Sequence, residues 1–278
     1  MSFESDNKLE LGKKSAYESQ YNPELLFPIS RLAKRTEIGI SADNPGFLGF
    51  DLWNHYEVSW LNPRGKPIVA TAQIVYDCQS PCIIESKSLK LYFNSLNNTS
   101  FGSFDEVKQL IARDLSQAIE NEVSVTLKPL HLEPLLQLHS SFAGECIDDI
   151  DVDCSIYEVN PQLLTVTDEV VEETLYSDLL KSNCLVTYQP DWGSVQIHYR
   201  GFKISRSALL QYIVSFRNHN EFHEQCIERI FADIMRICKP VALSVYGRYT
   251  RRGGLDINPY RATPNINFQP EHIRLIRQ

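Results

Sequence analysis

The sequence predicts an α+β protein assembled from two copies of one β-β-α-α-β unit, each an antiparallel sheet with paired helices on one face. Three observations carry that prediction. Short runs alternate apolar and polar residues, as in Val123, Val125 and Leu127 and again in Val195, Ile197 and Tyr199. Other apolar residues recur at helical spacing: Val107, Leu110, Ile111, Leu115, Ala118 and Ile119. A single shift of 120 residues then relates the halves, carrying Ile84 onto Ile204, Leu89 onto Leu209, Tyr92 onto Tyr212, Ser95 onto Ser215 and Asn98 onto Asn218. It also takes Val107, Leu110, Ile111 and Leu115 onto Ile227, Ile230, Phe231 and Met235, and Val125 onto Val245.

Residues 1–30 are polar and punctuated by proline, which suits a surface wrap rather than a sheet. Aromatic and apolar residues crowd Phe47–Trp60, Asn62-Pro-Arg-Gly-Lys66 reads as a hairpin turn, and Pro67–Tyr76 as the returning strand. Ser86–Leu96 reads as a short helix. Ser103–Ile119 is a longer one, opened by a capping box of Ser103 and Glu106. In the second half Cys184–Gln189 reads as a strand and Pro190-Asp-Trp-Gly193 as a turn. Helices are expected at 205–217 and 221–238, and strands at 243–249 and 255–258.

At 278 residues, with 43% hydrophobic and 22% charged, the chain is expected to be globular, dividing into domains at 1–144 and 145–278. No apolar run nears the roughly 18 residues of a membrane span, and Met1–Lys8 lacks an apolar signal core. No membrane association and a cytoplasmic location are therefore expected. The 27 basic and 35 acidic residues leave a net charge of −8, which argues against a broad nucleic-acid footprint. A local basic cluster remains at Arg248, Arg251, Arg252 and Arg261. Seven cysteines, an odd number without any C-x-x-C pair, fit reduced thiols.

No G-x-G-x-x-G and no P-loop is present, so a nucleotide cofactor must be held by side chains and irregular backbone. Four constellations could carry chemistry. Cys184 and Asp191 lie seven residues apart, a nucleophilic thiol with a carboxyl to relay protons, or a strand cysteine and a turn aspartate. His219 and His223 stand at i, i+4 and could face a metal together; solvated helix-start residues explain them as well. Glu85-Ser-Lys-Ser at a helix start could bind a ligand mixing N–H donors with phosphate. Arg251-Arg-Gly-Gly254 suits a phosphate or a polar hairpin. Asp149, Asp151 and Asp153 imitate the start of a calcium loop, but Cys154 occupies the glycine position, so a solvated linker is expected.

Together, Glu85-Ser-Lys-Ser-Leu-Lys-Leu-Tyr92, Leu179-Leu-Lys-Ser-Asn-Cys-Leu185, Gln189-Pro-Asp-Trp-Gly-Ser194, Phe216-Arg-Asn-His-Asn-Glu-Phe-His-Glu-Gln-Cys226 and Arg248-Tyr-Thr-Arg-Arg-Gly-Gly-Leu-Asp-Ile-Asn-Pro259 closely resemble a known family. It is the NADPH-dependent 7-cyano-7-deazaguanine reductases, the QueF nitrile reductases of queuosine biosynthesis, in their long two-unit form. Leu11-Gly-Lys13, Leu25-Leu-Phe-Pro28 and Ile273-Arg-Leu-Ile-Arg-Gln278 extend the likeness to nearly the whole chain.

The resemblance implies two tandem tunnelling-fold units and reduction of a deazapurine nitrile to a primary amine with two NADPH. It implies that Cys184 forms a covalent thioimide, that Asp191 donates protons, and that His223 binds substrate and assists proton transfer. Ile84, Glu85, Ser86 and Glu224 match further substrate contacts, while Ser86, Lys87, Arg252 and Gly253 match positions that hold NADPH. No metal is expected; the partners are the small-molecule nitrile and a second copy in a homodimer. The Glu-Ser-Lys motif lies in the first half and the cysteine in the second, so the site should form between the units, most simply within one chain. Two rivals share these residues: a zinc-dependent pterin hydrolase of the same fold, and a catalytically silent nucleobase-binding scaffold.

Overall fold

The computed structural model describes residues 18–41, 44–132, 138–266, 268 and 273–278. The Leu11-Gly-Lys13 stretch lies outside the described residues. The first half holds β1 (Pro28–Ser30), α1 (Leu32–Glu37), β2 (Leu48–Leu61), β3 (Pro67–Asp77), β4 (Cys82–Ile84), α2 (Ser86–Leu96), α3 (Phe104–Ile119) and β5 (Val123–Pro129). After the short β6 (Leu138–His139) and β7 (Glu145–Cys146) come β8 (Val166–Asn183), β9 (Pro190–Ile204), α4 (Arg206–Val214), α5 (His223–Cys238), β10 (Ala242–Tyr249), β11 (Leu255–Ala262) and β12 (Arg274–Leu275). The class is α+β, as expected.

Eight strands form one sheet in the order β5-β3-β2-β11-β10-β9-β8-β7, antiparallel except where β7 meets β8. The spatial order β5-β3-β2 recurs as β10-β9-β8. Strand β11 joins the two groups, pairing with β2 from Leu255↔His55 to Ala262↔Leu48. Side chains repeat as well. Ser95 Oγ donates to Tyr92 O at 2.6 Å, and Ser215 Oγ to Tyr212 O at 2.6 Å. Tyr92 and Tyr212 each donate to an aspartate, Asp114 and Asp233, at 2.8 Å.

The last pair corrects the uniform shift. Asp114 to Asp233 is 119 residues, and so is the step between the left-handed C-caps Glu120 and Lys239. Counted from the matched serines, α5 begins eight residues after Ser215, whereas α3 begins nine after Ser95. A further repeat escaped the sequence reading because its spacing is larger. Asn22 and Asn160 each cap a 3₁₀ turn, Pro23–Leu25 and Pro161–Leu163, and their amides donate to Ser95 Oγ and Ser215 Oγ at 3.1 and 3.3 Å.

Several expected boundaries are wrong for identifiable reasons. Cys184–Gln189 is the turn and Pro190–Gly193 belongs to the strand, the reverse of the sequence reading. Cys184 N donates to Gln189 O at 2.8 Å, Tyr188 takes a left-handed φ of 58°, and Pro190 begins a strand, where no ladder donor is needed. The long strand Val166–Asn183 went unpredicted because its first half is exposed and lacks alternation. Residues 28–30 do build a sheet, pairing with β4. The expected 205–217 helix stops at Val214 and continues as a 3₁₀ turn. Strand β11 runs on through Pro259 because β10 pairs only with Tyr260, Arg261 and Ala262, outside which the missing N–H is not required. Ser103 caps α3 as expected, but Glu106 returns to Gly102 N at 2.6 Å, one residue earlier than a capping box closes.

Two apolar cores lie under the helices. One gathers Trp53, Ile74, Tyr92, Val107 and Ile111 with Leu255 and Ile257 of β11; the other gathers Leu180, Ile197, Leu209, Ile227 and Ile230. Burying each such side chain contributes roughly 1.5–3 kcal/mol. Strands β10 and β11 are buried along their whole length, so their polar residues need internal partners. Arg248 Nε accordingly donates to Gln278 Oε1 at 2.7 Å, and Gln278 Nε2 to Asn258 Oδ1 at 2.7 Å.

Candidate active site

Cys184 follows the last residue of β8 and is 2% exposed. In the β8–β9 register Ser182 faces Asp191, and Asn183 faces Pro190. Cys184 follows at the start of the turn on the same hairpin as Asp191, and its N–H donates to Gln189 O at 2.8 Å. The carboxylate of Asp191 is flanked on both sides. Arg252 Nη1 donates to its Oδ1 at 2.6 Å, and His223 Nε2 stands 3.1 Å from its Oδ2.

His223 opens α5 and stacks flat on Tyr249, with centroids 3.8 Å apart and planes 4° off parallel. Tyr249 pairs with Gly193, where a Cβ would come within 3.1 Å of the tyrosine ring. A glycine opposite the ring thus leaves space for this face of the stack. Burial pushes the His223 imidazole below its ordinary pKa, against the pull of Asp191, so it is neutral at pH 7. Glu224 is also buried; burial first, then the charge of Asp51, raises its carboxyl to about 8. Its Oε1 makes no hydrogen bond, and neither do Ser182 Oγ, His223 Nδ1 or either end of the Gln225 amide. Helix α5 also has no side-chain cap on its first N–H groups. Unsatisfied polar groups therefore converge at its N-terminus.

Beneath Glu224 lies a buried charge network. Arg31 Nη2 reaches Asp51 at 2.5 Å, Arg261 reaches Asp51 at 2.8 Å and Glu228 at 2.9 Å, and Arg35 reaches Glu228 at 2.6 Å. These five residues tie α1, β2, α5 and β11 into one frame behind the start of α5.

The remaining expected contact residues lie in the first half. Ile84 is the last residue of β4, paired with Pro28. Glu85 caps α2: its carboxylate accepts from Lys87 N at 2.9 Å and Ser88 N at 2.7 Å. That capping role explains its position before the helix, which the helical pattern did not. Ser86 and Lys87, both half-buried, begin the first turn of α2. Tyr76 borders a small apolar cavity with Ile84, and the Glu224 charge adds to the burial that raises its phenol.

The turn after β10 reaches across to α2. Gly253 and Gly254 take φ of 61° and 81°, and a Cβ at Gly253 would lie 3.1 Å from Lys90 Cδ. Glycine is suited both to that backbone and to that approach. Arg252 therefore touches Asp191 while its neighbour touches α2, and the two motif groups meet within one chain. His55 Nδ1 donates to Gly254 O at 2.9 Å beneath the turn and holds it.

Among the expected site residues, Asp191, His223 and Arg252 come into direct contact, with Cys184 on the same hairpin and Glu224 next along α5. The i, i+4 pairing of His219 and His223 does not form. His219 lies before α5 in extended backbone and binds Glu221 at 2.9 Å, while His223 stacks on Tyr249. Sequence reasoning missed Tyr249 and Gln225. Both stood inside motifs it quoted, but ring stacking and unpaired amide atoms carry no spacing signal.

Two family models match the chain: "Nitrile reductase, 7-cyano-7-deazaguanine-reductase N-term" over residues 17–127 and "QueF-like protein" over residues 190–267. The NADPH-dependent 7-cyano-7-deazaguanine reductase of Legionella pneumophila (strain Corby) is 61% identical over 272 residues, covering 98% of this chain and 95% of the relative. Relatives with the same name from Dechloromonas aromatica (strain RCB) and Azoarcus sp. (strain BH72) are 55% identical over 269 residues and 57% over 256. They cover 96% and 91% of this chain, and 94% and 90% of their own lengths.

Proposed function

The chain belongs to the NADPH-dependent 7-cyano-7-deazaguanine reductase family, and from that premise we propose that it reduces this nitrile to 7-aminomethyl-7-deazaguanine through a thioimide on Cys184. As a member it is an oxidoreductase that uses NADPH. The reaction is a step toward queuosine in tRNA. The scaffold is two tunnelling-fold units, 1–144 and 145–278, a division supported by the repeated strand order and the matched tyrosine–aspartate bonds. The working form is a cytoplasmic homodimer. The outer edge of β8, paired with β7 over only Glu145 and Cys146, offers a strand surface for it. Among the described residues no helix is long and apolar enough to cross a membrane.

The observation that carries this reading is Asp191 on the hairpin that leads into Cys184, bonded by Arg252 and approached by His223 Nε2 at 3.1 Å. Asp191, held by a guanidinium, is the base for the thiol proton. The thiol adds across the triple bond: the S–H bond breaks, sulfur bonds to carbon, and the proton passes through Asp191 to the nitrile nitrogen. His223, neutral and stacked, orients the carboxylate. Glu224 and Glu85 provide carboxylates for the donor edge of the deazaguanine, where one carboxylate accepts two N–H bonds. The residues expected to hold NADPH suit it: Arg252 and the two-glycine turn put a cation beside open backbone, and that turn approaches α2, which carries Lys87, at Lys90. When bound, each of two NADPH supplies one hydride to the former nitrile carbon.

Intact-mass analysis of the protein mixed with the nitrile, without NADPH, tests the proposal. The expected result is an added mass equal to the ligand, absent in Cys184→Ala. Turnover by the wild type with no adduct at any time overturns the covalent route.

A further inference from the structure

The backbone of Asn183, the residue before Cys184, is held from outside the hairpin. Its cross-strand partner is Pro190, which has no N–H. The loop leading into α5 lies along this end of β8 instead: Asn183 N donates to His219 O at 2.7 Å, and Glu221 N donates to Asn183 O at 3.1 Å. Asn183 and Asn220 pair as a parallel bridge. The next amide along, that of Cys184, turns the other way and donates to Gln189 O. The position of the cysteine is thus set by a three-residue clamp on one side and by the turn on the other.

One buried carboxylate holds the clamp in shape. Glu221 is 1% exposed. Its Oε2 accepts from His219 Nε2 at 2.9 Å and Arg229 Nε at 3.0 Å, and its Oε1 accepts from Arg229 Nη2 at 2.8 Å. Arg229 is anchored in α5 and reaches Glu37 at 3.2 Å. These ion pairs outweigh the burial that opposes them and lower the Glu221 carboxyl to about 2. A full charge is therefore buried for a loop of four residues, and nothing in the apolar core calls for it.

We propose that Glu221, locked by Arg229 and His219, is a positioning residue for Cys184, acting through the backbone clamp on Asn183. The inference rests on the reading of Cys184 as the nucleophile. Losing the lock lets the end of β8 drift, and a shift of about 1 Å in a nucleophile slows attack about 100-fold. Substrate affinity stays, because Glu221 is engaged with Arg229 and His219 rather than with the unsatisfied groups of the site.

Glu221→Gln keeps the side-chain length and removes the charge; Arg229→Lys keeps the charge and removes the fork. In each variant two rates are measured. One is nitrile adduct formation without NADPH, followed by intact mass with the nitrile dissociation constant. The other is alkylation of Cys184 by iodoacetamide, followed by peptide mass spectrometry. Both rates are expected to fall about 10-fold or more in Glu221→Gln while nitrile affinity stays within about two-fold, with a smaller loss in Arg229→Lys. Unchanged rates, or a loss of affinity matching the loss of rate, would overturn the assignment. If Glu221→Gln does not fold, Arg229→Lys alone decides on the same criteria. Wild-type protein that is alkylated at Cys184 yet forms no nitrile adduct refutes the nucleophile reading, while the alkylation comparison still decides the clamp.

Discussion

Arg252 Nη1 donates to Asp191 Oδ1 at 2.6 Å, joining the arginine expected to hold the cofactor to the carboxylate expected to move the proton. The arginine side chain is 37% exposed and the aspartate 2%, so one end of the pair meets solvent and the other is buried on the thiol hairpin. One guanidinium carries five donors, enough to serve both partners.

Removing Arg252 should therefore do more than weaken cofactor binding. Arg252→Ala is expected to raise the NADPH KM and also lower kcat at saturating NADPH by about 10-fold or more, since Asp191 loses a charge-assisted bond. Lys87→Ala should raise only the NADPH KM. Steady-state kinetics on both variants separates the cases; an unaltered kcat in Arg252→Ala would show the Asp191 contact to be idle.

Glu224 makes a pH-dependent prediction. Its folded pKa of about 8 lies above the ordinary 4.5, so the folded protein binds the proton more tightly than the unfolded chain. Its stabilising contribution is whole below pH 4.5, shrinks as pH rises, and is gone above about 8. Glu224→Gln should remove that slope, gaining up to a few kcal/mol relative to wild type by pH 8. Denaturant unfolding at pH 5 and pH 8 checks this, and parallel curves for the two proteins would contradict it. Binding of the nitrile at pH 7 should also release about one proton, as its N–H donors favour the ionised form; calorimetry in two buffers of unlike ionisation enthalpy measures it.

Asp191→Asn leaves shape and one acceptor for Arg252 but ends proton transfer. Turnover should fall about 10²- to 10⁴-fold with little change in thermal unfolding, because its arginine partner is partly solvated. Rates near wild type would rule out a proton role for this carboxylate.

Gly49 tests the seam between the halves. A Cβ there would lie 1.9 Å from Tyr260 O, a backbone atom in β11 that cannot swing aside. Gly49→Ala should cost about 1–3 kcal/mol or more through strain at the β2–β11 junction. A melting temperature equal to wild type would mean the junction is softer than its geometry indicates.

Much of the scaffold was legible because periodicity records burial. Ser86–Leu96 was read to the residue, since Leu89, Tyr92, Phe93 and Leu96 share one helical face and Glu85 caps it. The first hairpin was equally plain, its turn marked by Asn62-Pro-Arg-Gly. The hairpin bearing Cys184 was read inside out, because Pro and Asp-Trp-Gly are turn signals that here begin a strand. Its partner β8 left no alternating signal in its exposed first half.

The sequence by itself determined the residue types available for chemistry, the α+β class, and the family. Side-chain spacing along a chain reports local faces. Only the tertiary structure decided that Arg252 meets Asp191, that Tyr249 lies under His223, and that Glu221 N bonds Asn183 O at the strand end before Cys184. Those contacts join residues brought together by strand pairing and by the approach of loops to α5. No local preference encodes them; they form only once the burial of both cores has fixed the sheet.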